Sequence, residues 1–250
     1  MRLLSFDTST SDLHICLSKA GQIEALCTLD SNLKDRQYAA SLLLPAIQNL
    51  FDQANWQKSD LNAIVVGVGP GSFTGLRTAV VTGRTIAQAL NLPLIGVPIL
   101  ECYAYKHGSS AAVVLRAGPD QFFVGAYEVA PLTQPSLYPS SRGLNVSCTL
   151  APACLNREAI FEMLKIAGDC LLDAGSLALF EQTQARLKPL PHLNNIAVVQ
   201  SELALNRVSL SMTHSGSGRS NQEYLLKTFP YDQVQPLYLR SASVTLKKTN

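Results

Sequence analysis

The spacing of apolar positions changes several times along the chain, and each change marks an element. "LLSFDTS" (3–9) is an apolar run that ends in turn residues. "LHICLS" (13–18) alternates, "KAGQ" supplies a tight turn, and "IEALCTL" (23–29) continues, so the first thirty residues read as a β-meander. Residues 36–54 carry helical periodicity. "LNAIVVGVG" (61–69) is contiguous in its apolar residues, as a strand buried on both faces should be. Residues 73–90 are helical again and "LPLIGVP" (92–98) is a short strand. The order β-β-β-α-β-α-β predicts a mixed sheet with helices on its faces. Further on, "AAVVLRAG" and "QFFVGAYEV" form a hairpin turning at Gly118-Pro119-Asp120. Residues 131–152, rich in proline and serine, read as loop. Helical patterns return near 155–167, 176–187 and 197–211. "THSGSGRSNQE" (213–223) reads as a mobile polar loop, "VQPLYLR" (234–240) as an ordered segment, and the last ten residues as a frayed tail. No internal repeat is visible.

Composition narrows the class. The 250 residues are 47% apolar and 15% charged, a globular balance sufficient for one large domain or two small ones. No apolar run is long enough for a membrane span, and no signal peptide is read at the start. Six scattered cysteines without a CxxC pair read as reduced thiols of a cytoplasmic protein. The net charge of +2 is uneven: residues 184–250 hold eight basic and three acidic side chains. Without a cluster of basic and aromatic residues, a solvated surface explains this better than direct RNA contact.

"GVGPGSFTGLR" (67–77) invites a phosphate-loop reading, which fails. A P-loop requires GxxxxGK[ST], and no lysine lies between Lys58 and Lys106. Gly67-x-Gly69-x-Gly71 also has the wrong last interval for a dinucleotide fingerprint. A structural turn remains: Gly69 and Gly71 permit a sharp exit from the strand, and Ser72 or Thr74 can cap the next helix. The other candidate is Asp7-Thr8-Ser9-Thr10. In actin-like and hexokinase-like ATPases such a turn holds metal-bound water and phosphate, but those enzymes need further nucleotide elements not evident here. The chain has no Gly-Gly dipeptide. A hydrogen-bonded turn, a vestige of a phosphate site, is the favoured reading. Four dispersed histidines (His14, His107, His192, His214) make no metal-ligand pair, so no metal and no cofactor are expected. No GxSxG elbow or kinase signature occurs.

Together "LLSFDTST", "LLLPAI" (42–47), "GVGPGSFTGLR", "LPLIGV" and "PLYLR" (236–240), in this order and spacing, resemble the TsaB (YeaZ) family. The resemblance is dense over residues 1–100 and returns around 236–240. It implies an actin-like (ASKHA, RNase H-like) α/β fold: a mixed sheet with flanking helices and a reduced second lobe. The implied divisions are an N-terminal lobe (1–104), the reduced lobe (105–225) and a C-terminal segment (226–250) returning to the first lobe. It also implies a non-catalytic subunit that supports TsaD, which threonylcarbamoylates the adenosine next to the tRNA anticodon. TsaD carries a metal-binding histidine pair that TsaB, like this chain, lacks. The implied partners are a TsaD-like transferase, a TsaE-like ATPase, a second copy of the chain when alone, and tRNA only through the complex. Two departures stand out: Ala39-Ala40 replaces a His-Ser pair, and Leu115-Arg116-Ala117 replaces Asp-Ala-Arg. The rival readings are an active ATPase or small-molecule kinase built on Asp7-Thr8-Ser9-Thr10, and a protease.

Helical wheels name a partner surface. Ala39, Leu42, Leu43, Ala46, Ile47 and Leu50 lie in an apolar arc of the first helix. Gly75, Leu76, Ala79, Val80, Gly83 and Ala87 lie in one of the second. Both arcs are wider than the roughly 100° stripe that a single sheet contact requires, so each helix is expected to pack against something more, either the other helix or helices of another chain. Gly75, Ala79, Gly83 and Ala87 form an i, i+4 ridge open to close approach by another helix.

Overall fold

The computed structural model describes residues 1–29, 36–132, 137–138, 142–183, 185–214 and 221–239; for 36–40, 213–214 and 221 this concerns the backbone alone. The predicted meander is present as β1 (Arg2–Asp7), β2 (Leu13–Lys19) and β3 (Gln22–Leu29). Ala20 and Gly21 make the β2–β3 turn with φ of 51° and 85°. Then come α1 (Arg36–Ala54), β4 (Ala63–Gly69), α2 (Phe73–Leu90), β5 (Leu94–Pro98) and α3 (Ile99–His107). The second half holds β6 (Ala111–Arg116), β7 (Gln121–Pro131), β8 (Leu144–Asn156), α4 (Arg157–Ile166), β9 (Asp169–Leu172), α5 (Ala174–Phe180), β10 (Arg186–Pro189), α6 (Ile196–His214) and α7 (Asn221–Thr228).

The strands form two five-stranded sheets, ordered β3-β2-β1-β4-β5 and β10-β9-β6-β7-β8. In each, the first three strands in sequence pair antiparallel and the last two join in parallel. The second sheet therefore repeats the topology of the first, although the sequence carries no visible repeat. Hydrogen-bonded pairing preserves a topology after side-chain identity has drifted, because any sequence that keeps one face apolar satisfies it. The fold is actin-like. The second lobe is complete in its strands and reduced in its helices: α4 and α5 span 10 and 7 residues, against 19 and 18 for α1 and α2.

Contiguous burial in β1 and β4 follows from cover on both faces of the first sheet. Leu4 and Phe6 point towards Leu43, Ile47, Leu50, Ala79 and Ala87 of α1 and α2. Leu3, Ala63 and Val65 point towards Ile196, Val199 and Leu203 of α6. The sequence reading leaves α6 in the second lobe, yet it packs across the first sheet. Helix α3 is wedged between the sheets: Ile99, Cys102 and Tyr105 join the first core, while Leu100 and Ala104 join Val113, Tyr127 and Leu171 of the second. The chain then returns to the first lobe, where Leu94 N donates to Phe229 O at 3.1 Å and Leu237 N to Val68 O at 2.8 Å.

Three sequence expectations are corrected. The segment read as loop contains most of β8, whose Ser147 and Pro152 hide it; as an edge strand bulged against β7, it shows no clean alternation. The helix read at 176–187 stops at Phe180, and Arg186–Pro189 pairs in parallel with β9. The loop read at 213–223 includes the end of α6 and the start of α7. The remainder of that loop, residues 215–220, and the tail from 240 lie outside the described residues.

Candidate functional site

The acidic turn at the end of β1 is closed from within. Asp7 is fully buried. Its Oδ1 accepts from the Ser9 backbone N–H and hydroxyl, both at 2.6 Å, and its Oδ2 accepts from Gln200 Nε2 of α6, also at 2.6 Å. Both oxygens are engaged by the chain itself. Thr8 donates its hydroxyl to Gly75 O at 2.6 Å, and Thr10 to Asp12 O at 3.0 Å. The sequence identifies Asp7 through Thr10 but carries no sign of Gln200, which lies 193 residues away.

The glycine motif receives this turn. A Cβ at Gly67 would lie 1.8 Å from Asp7 Oδ2, one at Gly71 2.3 Å from Ser9 O, and one at Gly75 1.8 Å from Thr8 O. Three of the motif's glycines are thus places where the backbone meets the acidic turn. Gly69 adopts φ +93°, a conformation that favours glycine. Ser72 caps α2 by accepting from Gly75 N, and its own N–H donates to Ser9 O at 2.7 Å.

The predicted interface residues are placed as follows. Leu43, Ile47, Leu50, Leu76, Ala79, Val80, Gly83 and Ala87 are buried against the chain's own first sheet. The small-residue ridge is therefore corrected to an internal contact. A Cβ at Gly83 would lie 2.5 Å from Val66 Cγ1, so small residues let α2 sit close on the sheet. Leu42, Ala46 and Gly75 are half-buried; the side chain of Ala39 lies outside the described residues. The outer surface of these helices exposes other apolar groups outside the predicted interface: Leu44 (57% exposed), Val81 (55%) and Phe73 (40%). The Phe73 ring stacks on Tyr238, with centroids 4.6 Å apart.

A family model described as "TsaD: tRNA N6-adenosine threonylcarbamoyltransferase" matches residues 35–135. The Escherichia coli protein TsaB, named for tRNA threonylcarbamoyladenosine biosynthesis, is 31% identical over 47% of this chain and 52% of its own length. The Bacillus subtilis TsaB protein is 34% identical over 51% and 56%. The chain thus spans about half the length of the curated relatives it matches. A Pseudomonas aeruginosa structure described as similar to the peptidase YeaZ superposes with a TM-score of 0.64 at 25% identity, covering 96% of this chain and 99% of that one. The chain is thus similar to proteins of the TsaB/YeaZ family in sequence and in fold.

Outside the turn, the chain also buries the carboxylate of Glu101. Arg207 Nη2 of α6 meets Glu101 Oε2 of α3 at 2.5 Å, and its Nη1 donates to Gly96 O at 2.6 Å. Burial pushes the Glu101 carboxyl up, against the pull of Arg207. Burial likewise pushes the Cys16 thiol up to about 12, which leaves it an unreactive core thiol. No cluster of three or more histidine, cysteine or acidic side chains that could hold a metal is found among the described residues. Nor is any described helix long and apolar enough to cross a membrane.

Proposed function

We propose that this chain is a non-catalytic scaffold subunit that binds and supports a TsaD-type transferase, which threonylcarbamoylates the adenosine beside the tRNA anticodon. The observation that carries this reading is the closed acidic turn. An actin-like ATPase needs its β1 carboxylate free for metal-bound water, whereas Asp7 spends both oxygens on Ser9 and Gln200. That argues against the rival ATPase or kinase reading. Similarity to relatives named for threonylcarbamoyladenosine biosynthesis suggests the pathway.

The docking surface in this reading is the outer face of α1 and α2. Leu44, Val81 and Phe73 are the anchors, flanked by the half-buried Leu42 and Ala46. Exposed large apolar groups are the candidate anchors of an interaction site. The same face serves self-association when the transferase is absent. A TsaE-type ATPase joins the assembly, tRNA is reached only through the complex, and the setting is the cytoplasm. The test is depletion of this protein in its host, followed by mass spectrometry of tRNA nucleosides. Threonylcarbamoyladenosine should fall. An unchanged level, with no second copy of the gene to compensate, contradicts the proposal.

A further inference from the structure

The acidic turn does more than fill space. Its contacts run as one chain from α6 to α2. Gln200 on α6 donates to Asp7, Asp7 gathers Ser9, and Ser9 O accepts from the Ser72 N–H at the α2 cap. Thr8 adds its hydroxyl to Gly75 O in the first turn of the same helix. Asp7, Thr8, Ser9 and Gln200 are all buried. The turn is thus a strut between the inner helix and the helix that carries Phe73 and Val81. At the other end, Asn206 of α6 donates to Leu144 O of β8 at 2.9 Å, which ties the strut to the second lobe.

We infer that Gln200 is a positioning residue for the partner surface: through the Asp7–Ser9–Ser72 contacts it sets where the N-terminal turn of α2, and so the Phe73–Val81 face, is presented to the transferase. This rests on the scaffold reading above. Gln200 touches no partner in that reading and acts only through the turn. Its amide suits the task because it is neutral: Nε2 donates to a carboxylate already holding two donors, and no second charge is buried.

The experiment measures affinity of the full chain for the purified TsaD-type transferase of the same organism between pH 5.5 and pH 8, with melting temperature recorded at each pH. Wild type and three variants are compared. Gln200→Glu sets two carboxylates within hydrogen-bond distance, and these can persist there only by sharing a proton. The shared proton is retained at low pH and lost as pH rises. Affinity of this variant should therefore approach wild type at pH 5.5 and fall by at least about tenfold by pH 8, as like charges in close contact repel. Asp7→Asn combined with Gln200→Glu reverses the pair, with the asparagine amide donating to the glutamate, and should restore a flat profile. Gln200→Met keeps the length and removes the donor, so it should weaken binding at every pH. His14, Cys102 and Tyr103 also face Asp7 and are common to all four proteins, so the difference between profiles isolates the pair.

Weaker binding at pH 8 with a near-native melt, rescued in the double variant, is the expected result. Wild-type affinity of both Gln200→Glu and Gln200→Met at pH 8 overturns the inference and leaves the scaffold reading standing. A collapsed melt that parallels the lost affinity in these variants also overturns it, because the strut then serves only folding. No binding by the wild-type chain overturns the scaffold reading itself, and the inference with it.

Discussion

Gly75 and Thr8 approach so closely that a Cβ on Gly75 would lie 1.8 Å from the Thr8 carbonyl oxygen. The obstacle is backbone held on both sides, by the Thr8 hydroxyl bond to Gly75 O and by the Ser9–Ser72 contact, and it cannot swing away. Gly75→Ala should therefore destabilise the protein, although alanine is the better helix former by about 1 kcal/mol. Forcing extra volume into a packed site typically costs about 1–3 kcal/mol, which outweighs that gain. Urea unfolding of the two proteins side by side checks the sign; a more stable Gly75→Ala would mean that the turn yields freely.

Ala79 gives a sharper case. It is fully buried, in the same cluster as Leu4, Phe6 and Val66. Ala79→Arg should unfold the first lobe, since a charge without a partner in that core costs about 3–5 kcal/mol, a large share of a domain's total stability. Loss of the cooperative thermal transition is the expected observation. A near-native melt with loss of self-association would instead return Ala79 to the surface.

Val81 lies two residues on, and its side chain is exposed. Val81→Glu should leave the melting temperature within a few degrees of wild type, as surface substitutions usually change stability by less than about 0.5 kcal/mol. It should nevertheless weaken transferase binding by about 2 kcal/mol if Val81 is an anchor, or roughly thirtyfold in dissociation constant. Leu44→Glu on α1 should behave alike. Titration calorimetry resolves both, and unaltered affinity in the two variants would move the docking face elsewhere.

Glu202 on α6 links stability to pH. Burial pushes its carboxyl above the ordinary value of 4.5, against a hydrogen bond from Tyr105 and the charges of Lys106 and Arg142. A raised value means the folded state holds the proton more tightly than the unfolded chain. Its stabilising contribution is complete below the ordinary value and fades as pH rises through the folded one. Glu202→Gln should flatten the decline in stability as pH rises above about 4.5. Chemical denaturation at pH 5 and pH 7 measures the slope, and an unchanged slope refutes the assignment.

The sequence by itself determined the first lobe from β1 to β5, though not α3, because local spacing suffices there. Alternation and contiguous apolar runs reveal β1 to β5, helical periodicity reveals α1 and α2, and Asp7 through Thr10 stand out as polar residues ending an apolar strand. It also read the glycine turn as a structural exit from the strand into the next helix. Only the tertiary structure decided what each glycine faces, since contacts such as Gly67 with Asp7 join residues sixty positions apart. The same holds for Gln200, an unremarkable polar residue in a helix until folding brings it to Asp7. The width of an apolar arc says that a helix is buried broadly but not by what, so the Ala79–Gly83 ridge could be assigned to sheet or partner only once α2 was seen lying on Phe6 and Val66. In the second lobe, β8 and β10 owe their existence to backbone pairing with β7 and β9, a long-range hydrogen-bond decision that leaves little trace in side-chain pattern.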